Sequence, residues 1–292
     1  MENKHLIIID SSSLLYRAFH ALPPLTNKKG QPTGAVYGFL LTLFKAIKDL
    51  KATHIVACFD TPKPTFRHEQ FQEYKAKRVA PPDQLIPQFS LLEQVLGVLS
   101  IPVFKKEGFE ADDLIATIAK QVKDAKVYIV SGDLDNRQLV DERIQVYTPG
   151  KSIKESILYD KAKVIERFGV RPDQMNDFKA LRGDSSDNIP GVPGIGEKTA
   201  AELIQKYTSI QNIYEELATD TLVAKPKIRE ALKNNKEKAF LSRQLVETKK
   251  DVPLEFVLDS CKFGAFDQQK VSRLFVELDF NTLVDRLSTL VF

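Results

Sequence analysis

The sequence predicts an α/β fold: a mainly parallel sheet flanked by helices, running into a helical C-terminal half. Two observations carry this. Short apolar runs alternate with helix-length stretches through the first half, the pattern of parallel strands joined by crossover helices. After about Tyr159 the pattern turns nearly all helical, interrupted by a Gly/Pro-rich stretch at 188–196. The change places a soft boundary near 159–170 and divides the chain into 1–166 and 167–292.

Taken in order, Leu6-Ile-Ile-Ile9 reads as the first strand and ends at Asp10. Val36–Leu50 reads as a helix, and His54–Phe59 as a second strand ending at Asp60. The stretch 61–82 resists regular assignment, with Pro62, Pro64, Pro81 and Pro82 at its ends. Between them Phe66, Arg67, His68, Phe71, Tyr74, Lys75, Lys77 and Arg78 interleave rings with cations. A solvated helical face is the bland interpretation. The position directly after Asp60 favours substrate contact, with rings stacking on unpaired bases and cations holding phosphates. Gln84–Leu99 reads as a helix and Ile101–Phe104 as a strand. Glu110-Ala-Asp112-Asp113 opens a helix over Leu114–Val122, where acids suit the positive end of the helix dipole. Capping explains one such acid, hardly three in four residues. Lys126–Val130 is a third strand, leading to Ser-Gly-Asp133 and then Asp135, and Ile144–Tyr147 is a further one.

In sheets of this kind ligands bind beyond the carboxyl ends of the strands. Asp10, Asp60 and Asp133 all fall there, so they converge without any long-range assumption. Asp184 and Asp187 are three apart and share a face on a helical turn; alone, the pair equally suits an Asx-capped turn. Carboxylates gathered this closely repel one another and take up protons unless cations sit between them. Oxygen-only ligands suit Mg²⁺ or Mn²⁺, and two such ions roughly 3.5–4 Å apart form the clamp of phosphodiester hydrolysis.

Composition narrows the substrate. The 292 residues carry a net charge of +3. With nine acids gathered in one place, the remaining surface is distinctly basic, an arrangement that suits a polyanion. Cys58 and Cys261 form no CxxC, so neither a zinc site nor a disulfide framework is indicated. His5, His20, His54 and His68 show no ligand spacing and there is no Gly-x-Ser-x-Gly element, so the expected nucleophile is a cation-activated water. The sequence shows no signal peptide and no 18-residue apolar span, and a cytoplasmic protein without a membrane partner is expected.

Gly191-Val-Pro-Gly194-Ile-Gly196-Glu-Lys198-Thr199 is neither of two familiar phosphate loops. Glu197 separates Gly196 from Lys198, where a P-loop needs Gly-Lys contiguous. Thr199 stands where a dinucleotide fingerprint needs a third small residue, and no strand precedes it. A glycine-hinged turn leading into a helix over Glu197–Lys206 instead offers backbone N–H groups to a DNA phosphate without reading sequence. A plain helix–turn–helix connector is the alternative.

With the acids and the hairpin in hand, the chain resembles the bacterial 5′-nuclease (flap endonuclease) family, comprising the 5′→3′ exonuclease domain of DNA polymerase I and its stand-alone relatives. The resemblance runs through Ile9–Ser13, Leu15–Pro24, Pro32–Phe39, Phe59-Asp60, Phe66-Arg67, Tyr74–Arg78, Gly108–Asp113 and Ser131–Asp135, and most specifically Gly183–Ala200. It implies a PIN-like core, a helical arch near 61–95 and a helix–three-turn–helix (helix-hairpin-helix) element near 183–206. It implies that Asp10, Glu110, Asp112 and Asp113 hold one metal with the scissile phosphate. Asp133, Asp135, Asp184 and Asp187 would shape a second position, and Asp60 completes the metal set. Lys75 and Arg78 of the arch would reach the scissile phosphate and act in catalysis, with Asp113 beside them. DNA contacts are implied at Gly34, Tyr37, Arg67, Tyr74, Lys75, Arg78, Gly191, Gly194, Gly196, Lys198 and Thr199.

The implied cofactors are two or more Mg²⁺, which Mn²⁺ can replace, and K⁺ at the hairpin. The implied partners are DNA with 5′ ends, flaps or nicks, and RNA–DNA hybrid, acted on by a monomer that is fused to a polymerase or cooperates with one. The expected activity is 5′→3′ exonuclease and flap cleavage in lagging-strand processing and repair. A non-catalytic DNA-structure binder would need lost ligands, and all nine acids are present. A phosphatase on small phosphomonoesters would have no use for the arch or the hairpin. One departure stands out: Asn136-Arg137 occupies positions that are apolar in relatives, with an expected effect on local packing or an added phosphate contact.

Overall fold

The computed structural model describes residues 4–150, 155–287 and 290; the outermost residues of both expected domains lie outside the described residues. Strand β1 (His5–Asp10) runs directly into α1 (Ser11–Ala21), followed by α2 (Gly34–Leu50), β2 (His54–Cys58), α3 (Phe66–Gln70), α4 (Ile86–Val98) and β3 (Val103–Phe104). Helix α5 (Ala111–Gln121) then leads to β4 (Lys126–Val130), β5 (Ile144–Pro149) and β6 (Ser156–Tyr159). The six strands lie in the order β3-β2-β1-β4-β5-β6, parallel except for β6, which pairs antiparallel with β5.

Alternation along β1 explains the layering. Leu6, Ile7, Ile8 and Ile9 are all fully buried because successive side chains enter opposite faces, each covered by helices. Leu6 and Ile8 pack on one face with Ile115 and Ile118 of α5. Ile7 and Ile9 pack on the other with Phe39 and Leu40 of α2 and Leu92 and Val95 of α4.

The second half is built from α6 (Lys161–Phe168), α7 (Met175–Arg182), α8 (Glu197–Tyr207), α9 (Ile210–Ala218), α10 (Pro226–Asn234) and α11 (Lys236–Val246), then α12 (Gln268–Glu277) and α13 (Asn281–Leu287). The core of the α5 face continues without a break into Phe178, Leu203 and Ile213. Phe275 and Leu283 of the last two helices return to the α2 face. Apolar packing therefore crosses the change of pattern near residue 166.

Three local features differ from the sequence expectation. Helix α1 begins at once after β1, in a Ser-Ser-Ser stretch with weak helix propensity; Asp10 starts it by accepting the Ser13 N–H at 3.1 Å. The edge strand β6 is only four residues long, too short to show a period. The arch segment holds one short helix, α3, and then turns over 72–77. It folds down over the strand ends and buries Tyr74 to 3% exposure.

Candidate active site

The parallel topology sets the carboxyl ends of β1, β2 and β4 side by side, and an open cavity of about 370 Å³ forms there. Asp10, Asp60, Glu110, Asp112 and Asp133 line it, with Lys75 and Arg78 of the arch on the opposite wall. A second cavity of about 460 Å³ also borders Asp133 and is lined by Asp135, Asp184, Lys179 and Arg182. Seven of the nine expected acids thus border one connected acidic trough.

The acids are held by hydrogen-bond donors, some of which serve two acids at once. Asp10 accepts from Ser13 N–H and from Ser131 Oγ at 2.6 Å. Asp60 accepts the Ala111 N–H at 2.9 Å and Asp112 the Asn136 Nδ2 at 2.9 Å. Glu110 takes Lys75 Nζ at 2.6 Å and the Tyr74 hydroxyl at 3.1 Å. Lys179 is buried between Asp135 and Asp184, 2.7 Å from the latter. Asp187 faces the arch: it accepts Arg78 at 2.5 Å and the Tyr74 hydroxyl at 3.2 Å, and its carbonyl accepts the Lys75 N–H. Lys75 holds this pose in the left-handed region, at φ 55°. Among the described residues no three potential ligands are gathered around one point, and the arch cations Lys75 and Arg78 rest on two of the acids, Glu110 and Asp187.

Protonation reports the crowding. Burial, reinforced by Asp60 and Asp133, lifts the Asp10 carboxyl to about 7. Burial lifts Asp135 to about 7 in spite of Lys179. Asp112 is raised well above the usual carboxylate range by burial and then by Asp133, Asp10 and Asp135. Burial alone would raise Asp184, but Lys179 draws it down to about 2. Desolvation and like charge disfavour the ionised form, and a nearby cation restores it.

Several expected site residues are placed elsewhere. Asp113 is fully buried away from the trough. Arg67 grips both its oxygens at 2.8 Å, and the N–H groups of Lys249 and Glu110 complete the set. Its lone pairs are spent, so it is a structural anchor and not a metal ligand. Arg67, expected at DNA, is 2% exposed and also donates to the carbonyls of Leu245 and Glu247. Tyr74 is likewise turned inward. Gly34 is buried against Leu25 and Pro23, and the Tyr37 hydroxyl meets Thr282 Oγ1 at 2.8 Å. Gly191 sits against Gly183, where a Cβ would approach backbone to 2.3 Å, and donates its N–H to Ser242 Oγ. Its role is close packing. Gly194, Gly196 and Lys198 are exposed and Thr199 half-buried, and a Cβ on either glycine would meet open space.

Sequence reasoning missed Lys179, Ser131 and the Arg67–Asp113 pair. Lys179 lies in the amphipathic α7, where a lysine normally signals solvent. Ser131 was within reach, since it directly follows a strand and precedes Gly-Asp.

A resolvase-like sheet with acids at its strand ends and a basic segment folded over them defines a PIN-like nuclease class. The sequence model described as "5′-3′ exonuclease, N-terminal resolvase-like domain" matches residues 5–169, and that described as "5′-3′ exonuclease, C-terminal SAM fold" matches 170–269. The chain belongs to the 5′-3′ exonuclease family. It is 41% identical over 288 residues to DNA polymerase I of Bacillus subtilis, covering 98% of this chain and 32% of the relative. It is 40% identical over 286 residues to DNA polymerase I of Mycobacterium tuberculosis, covering 97% and 31%. The chain therefore spans about a third of the length of these relatives. Among solved structures, T5 5′-exonuclease with bound zinc aligns at a TM-score of 0.68 and 24% identity, covering 98% of each chain. Flap endonuclease-1 from Methanococcus jannaschii aligns at 0.58 and 20%, covering 99% of this chain and 92% of that one. These two likenesses bear on the fold.

Proposed function

We propose that the chain is a structure-specific 5′→3′ exonuclease and 5′-flap endonuclease, hydrolysing DNA phosphodiesters with two or more divalent cations, Mg²⁺ with Mn²⁺ as substitute. The observation that carries this reading is the set of Asp10, Asp112 and Asp135, whose carboxyls are pushed up by burial and by neighbouring aspartates, Asp133 in every case. Oxygen donors in that state are short of positive charge, and hard divalent cations match them. Asp10, Asp60, Glu110, Asp112 and Asp133 would hold one cation, and Asp133, Asp135 and Asp184 would shape the second position. When bound, such cations neutralise the phosphodiester and lower the pKa of water.

The chain's own residues do the rest. Lys75 and Arg78 line the trough and in this reading would meet the scissile phosphate. In the structure they rest on Glu110 and Asp187, so cation loading and arch release go together in this reading. The N-terminus of α8, behind Gly194 and Gly196, would hold the downstream duplex phosphate, with K⁺ at the hairpin carbonyls. The substrates proposed are 5′ ends, flaps and nicks in DNA and RNA–DNA hybrid, processed by a cytoplasmic monomer in lagging-strand maturation and repair, fused to or acting with a polymerase. Among the described residues no helix is long and apolar enough to cross a membrane. We further propose domains at 1–166 and 167–292.

The deciding experiment compares single-turnover cleavage of a 5′-flap duplex, a closed circle and a small phosphomonoester, with Mg²⁺ and with chelator. Flap cleavage that requires Mg²⁺ supports the reading. Preference for the phosphomonoester, or binding without cleavage, overturns it.

Three expectations follow from the geometry. Lys75→Ala is expected to cost about 10²–10³-fold in single-turnover rate, because it removes charge placed where the phosphate gains it. Lys77→Ala, exposed on the outer side of the turn, should alter only the salt dependence of binding. Equal rates for the two variants would remove the arch from catalysis.

Gly196→Val leaves the fold intact, since φ is −89° and the new Cβ meets nothing within 4 Å. The side chain does shield the N–H groups of the α8 N-terminus. Duplex affinity should fall roughly tenfold on unrelated sequences, as expected for one charge-assisted bond of about 1.5 kcal/mol. A loss confined to some sequences would contradict a sequence-blind clamp.

The third concerns pH. A carboxyl raised to about 7 in the folded state stabilises the metal-free protein at low pH, and this is lost as pH climbs through 7. Cation binding must displace those protons. Melting temperature without metal should therefore fall from about pH 6 to about pH 8, and the rise produced by Mg²⁺ should grow over the same interval. A Mg²⁺ effect independent of pH would separate these carboxyls from the cations.

A further inference from the structure

The turn after β4 carries two adjacent polar residues that are sealed from solvent. Asn136 and Arg137 lie in a 3₁₀ turn over Asp135–Leu139, and both are fully buried. Asn136 Nδ2 donates to Asp112 Oδ1 at 2.9 Å and to Ser131 Oγ at 3.4 Å. Ser131 Oγ accepts the Asp133 N–H at 2.9 Å and donates to Asp10 Oδ2 at 2.6 Å. One side-chain amide therefore reaches Asp112 directly, and Asp10 through a single hydroxyl.

The direction of this chain is fixed by donor counting. The ionised carboxylate that receives a cation can only accept, so in that state the amide turns its NH₂ toward Asp112, as the 2.9 Å contact has it. The hydroxyl of Ser131 has two lone pairs and one proton. Both lone pairs are met by N–H groups, from Asn136 and Asp133, so the proton goes to Asp10. Arg137 keeps the amide from swinging. Its guanidinium donates to the Asp133 carbonyl and to Thr148 Oγ1 at 2.7 Å, and lies 4.3 Å from the ring centre of Tyr159. The turn is thereby pinned to β5 and β6. Among the described residues Asn136 Oδ1 is buried without a hydrogen-bond partner, so the nitrogen end accounts for an amide here.

A neutral donor differs in kind from the lysines of this trough. Lys75 and Lys179 neutralise the acids they touch, whereas an amide orients a carboxylate and leaves its charge available. We propose that Asn136 is a positioning residue of the cation site, holding Asp112 and, through Ser131, Asp10 in the rotamers that receive a divalent cation. The inference rests on the cation reading above and adds a residue to it. Outer donors of this sort set ligand orientation, and their loss weakens metal affinity roughly 10- to 100-fold.

The test is direct Mn²⁺ binding to the metal-free chain, followed by electron paramagnetic resonance of free Mn²⁺, for the parent, Asn136→Leu and Asn136→Ala. Leucine keeps the branched shape of asparagine without the donor but is larger, and alanine serves if leucine disturbs the fold seen by circular dichroism. The expected result is a 10- to 100-fold weaker Mn²⁺ affinity. The Mn²⁺ concentration for half-maximal flap cleavage should rise to match, and saturating Mn²⁺ should restore most of the rate. Unchanged affinity in a folded variant overturns the proposal. So does a rate loss that persists at all Mn²⁺ concentrations with affinity intact, which marks a packing role. A parent chain that binds no Mn²⁺ sinks the cation reading itself, and is distinguishable from both.

Discussion

Asp112→Asn is expected to reduce single-turnover flap cleavage by about 10³-fold or more, while duplex binding stays within a few-fold of the parent. Asp112 stands at the N-terminal turn of α5, borders the trough and carries no cationic partner among the described residues, only the Asn136 amide. In the proposed reading, removing its charge removes a ligand that positions cations worth several kcal/mol to the transition state, and each 1.36 kcal/mol is tenfold in rate. The same reading assigns the grip on duplex to basic groups and the α8 N-terminus, which the substitution leaves alone. Stability supplies an independent check. Asp112 is ionised at a cost, being buried among Asp133, Asp10 and Asp135, so the metal-free variant should melt no lower than the parent. A variant that cleaves at near-parental rate in Mg²⁺ would remove Asp112 from the site.

The strand-end acids were legible because the rule that locates them is local. A short apolar run followed by Asp needs only the parallel topology to place Asp10, Asp60 and Asp133 together, and that topology follows from alternating strands and helices. The hairpin was legible for a similar reason: Gly194 and Gly196 lie within one turn and precede a helix that starts beside them. The partners of the acids were hidden. Lys179 reaches Asp135 across 44 residues of sequence and Arg67 reaches Asp113 across 46, and no periodicity encodes such pairings. Nor does sequence show which way a charged residue turns. Arg67 and Lys77 look alike as members of one basic stretch, yet one is sealed in the core and the other faces water.

The same blindness grouped Asp113 with Asp112, since three acids in four residues read as one ligand set. Helix geometry separates them. Neighbouring positions on a helix point about 100° apart, so when Asp112 faces the trough Asp113 must face α3 and the segment after α11. Resemblance marks both positions; only burial and donor counting assign them different work.

Asp113→Asn is therefore expected to act on stability, lowering it by about 3–5 kcal/mol in equilibrium denaturation. Asp113 and Arg67 form a fully buried bidentate pair that ties α5 to the base of the arch. The Lys249 N–H and the Leu245 and Glu247 carbonyls bring the segment after α11 into the same knot. Neutralising one partner leaves the Arg67 guanidinium, held ionised against burial chiefly by Asp113, with only the longer Glu110 contact at 3.4 Å. An uncompensated buried charge costs more than the pair itself contributes. Arg67→Met should destabilise to a similar degree by stranding the carboxylate. Arg67→Met combined with Asp113→Leu should cost less than the two single changes added, because neither charge is then left alone. Mn²⁺ affinity measured on folded Asp113→Asn, below its melting temperature, should stay close to the parental value. Should the variant instead keep parental stability and lose Mn²⁺ binding, Asp113 is a ligand after all, and the burial argument that moved it out of the site is wrong.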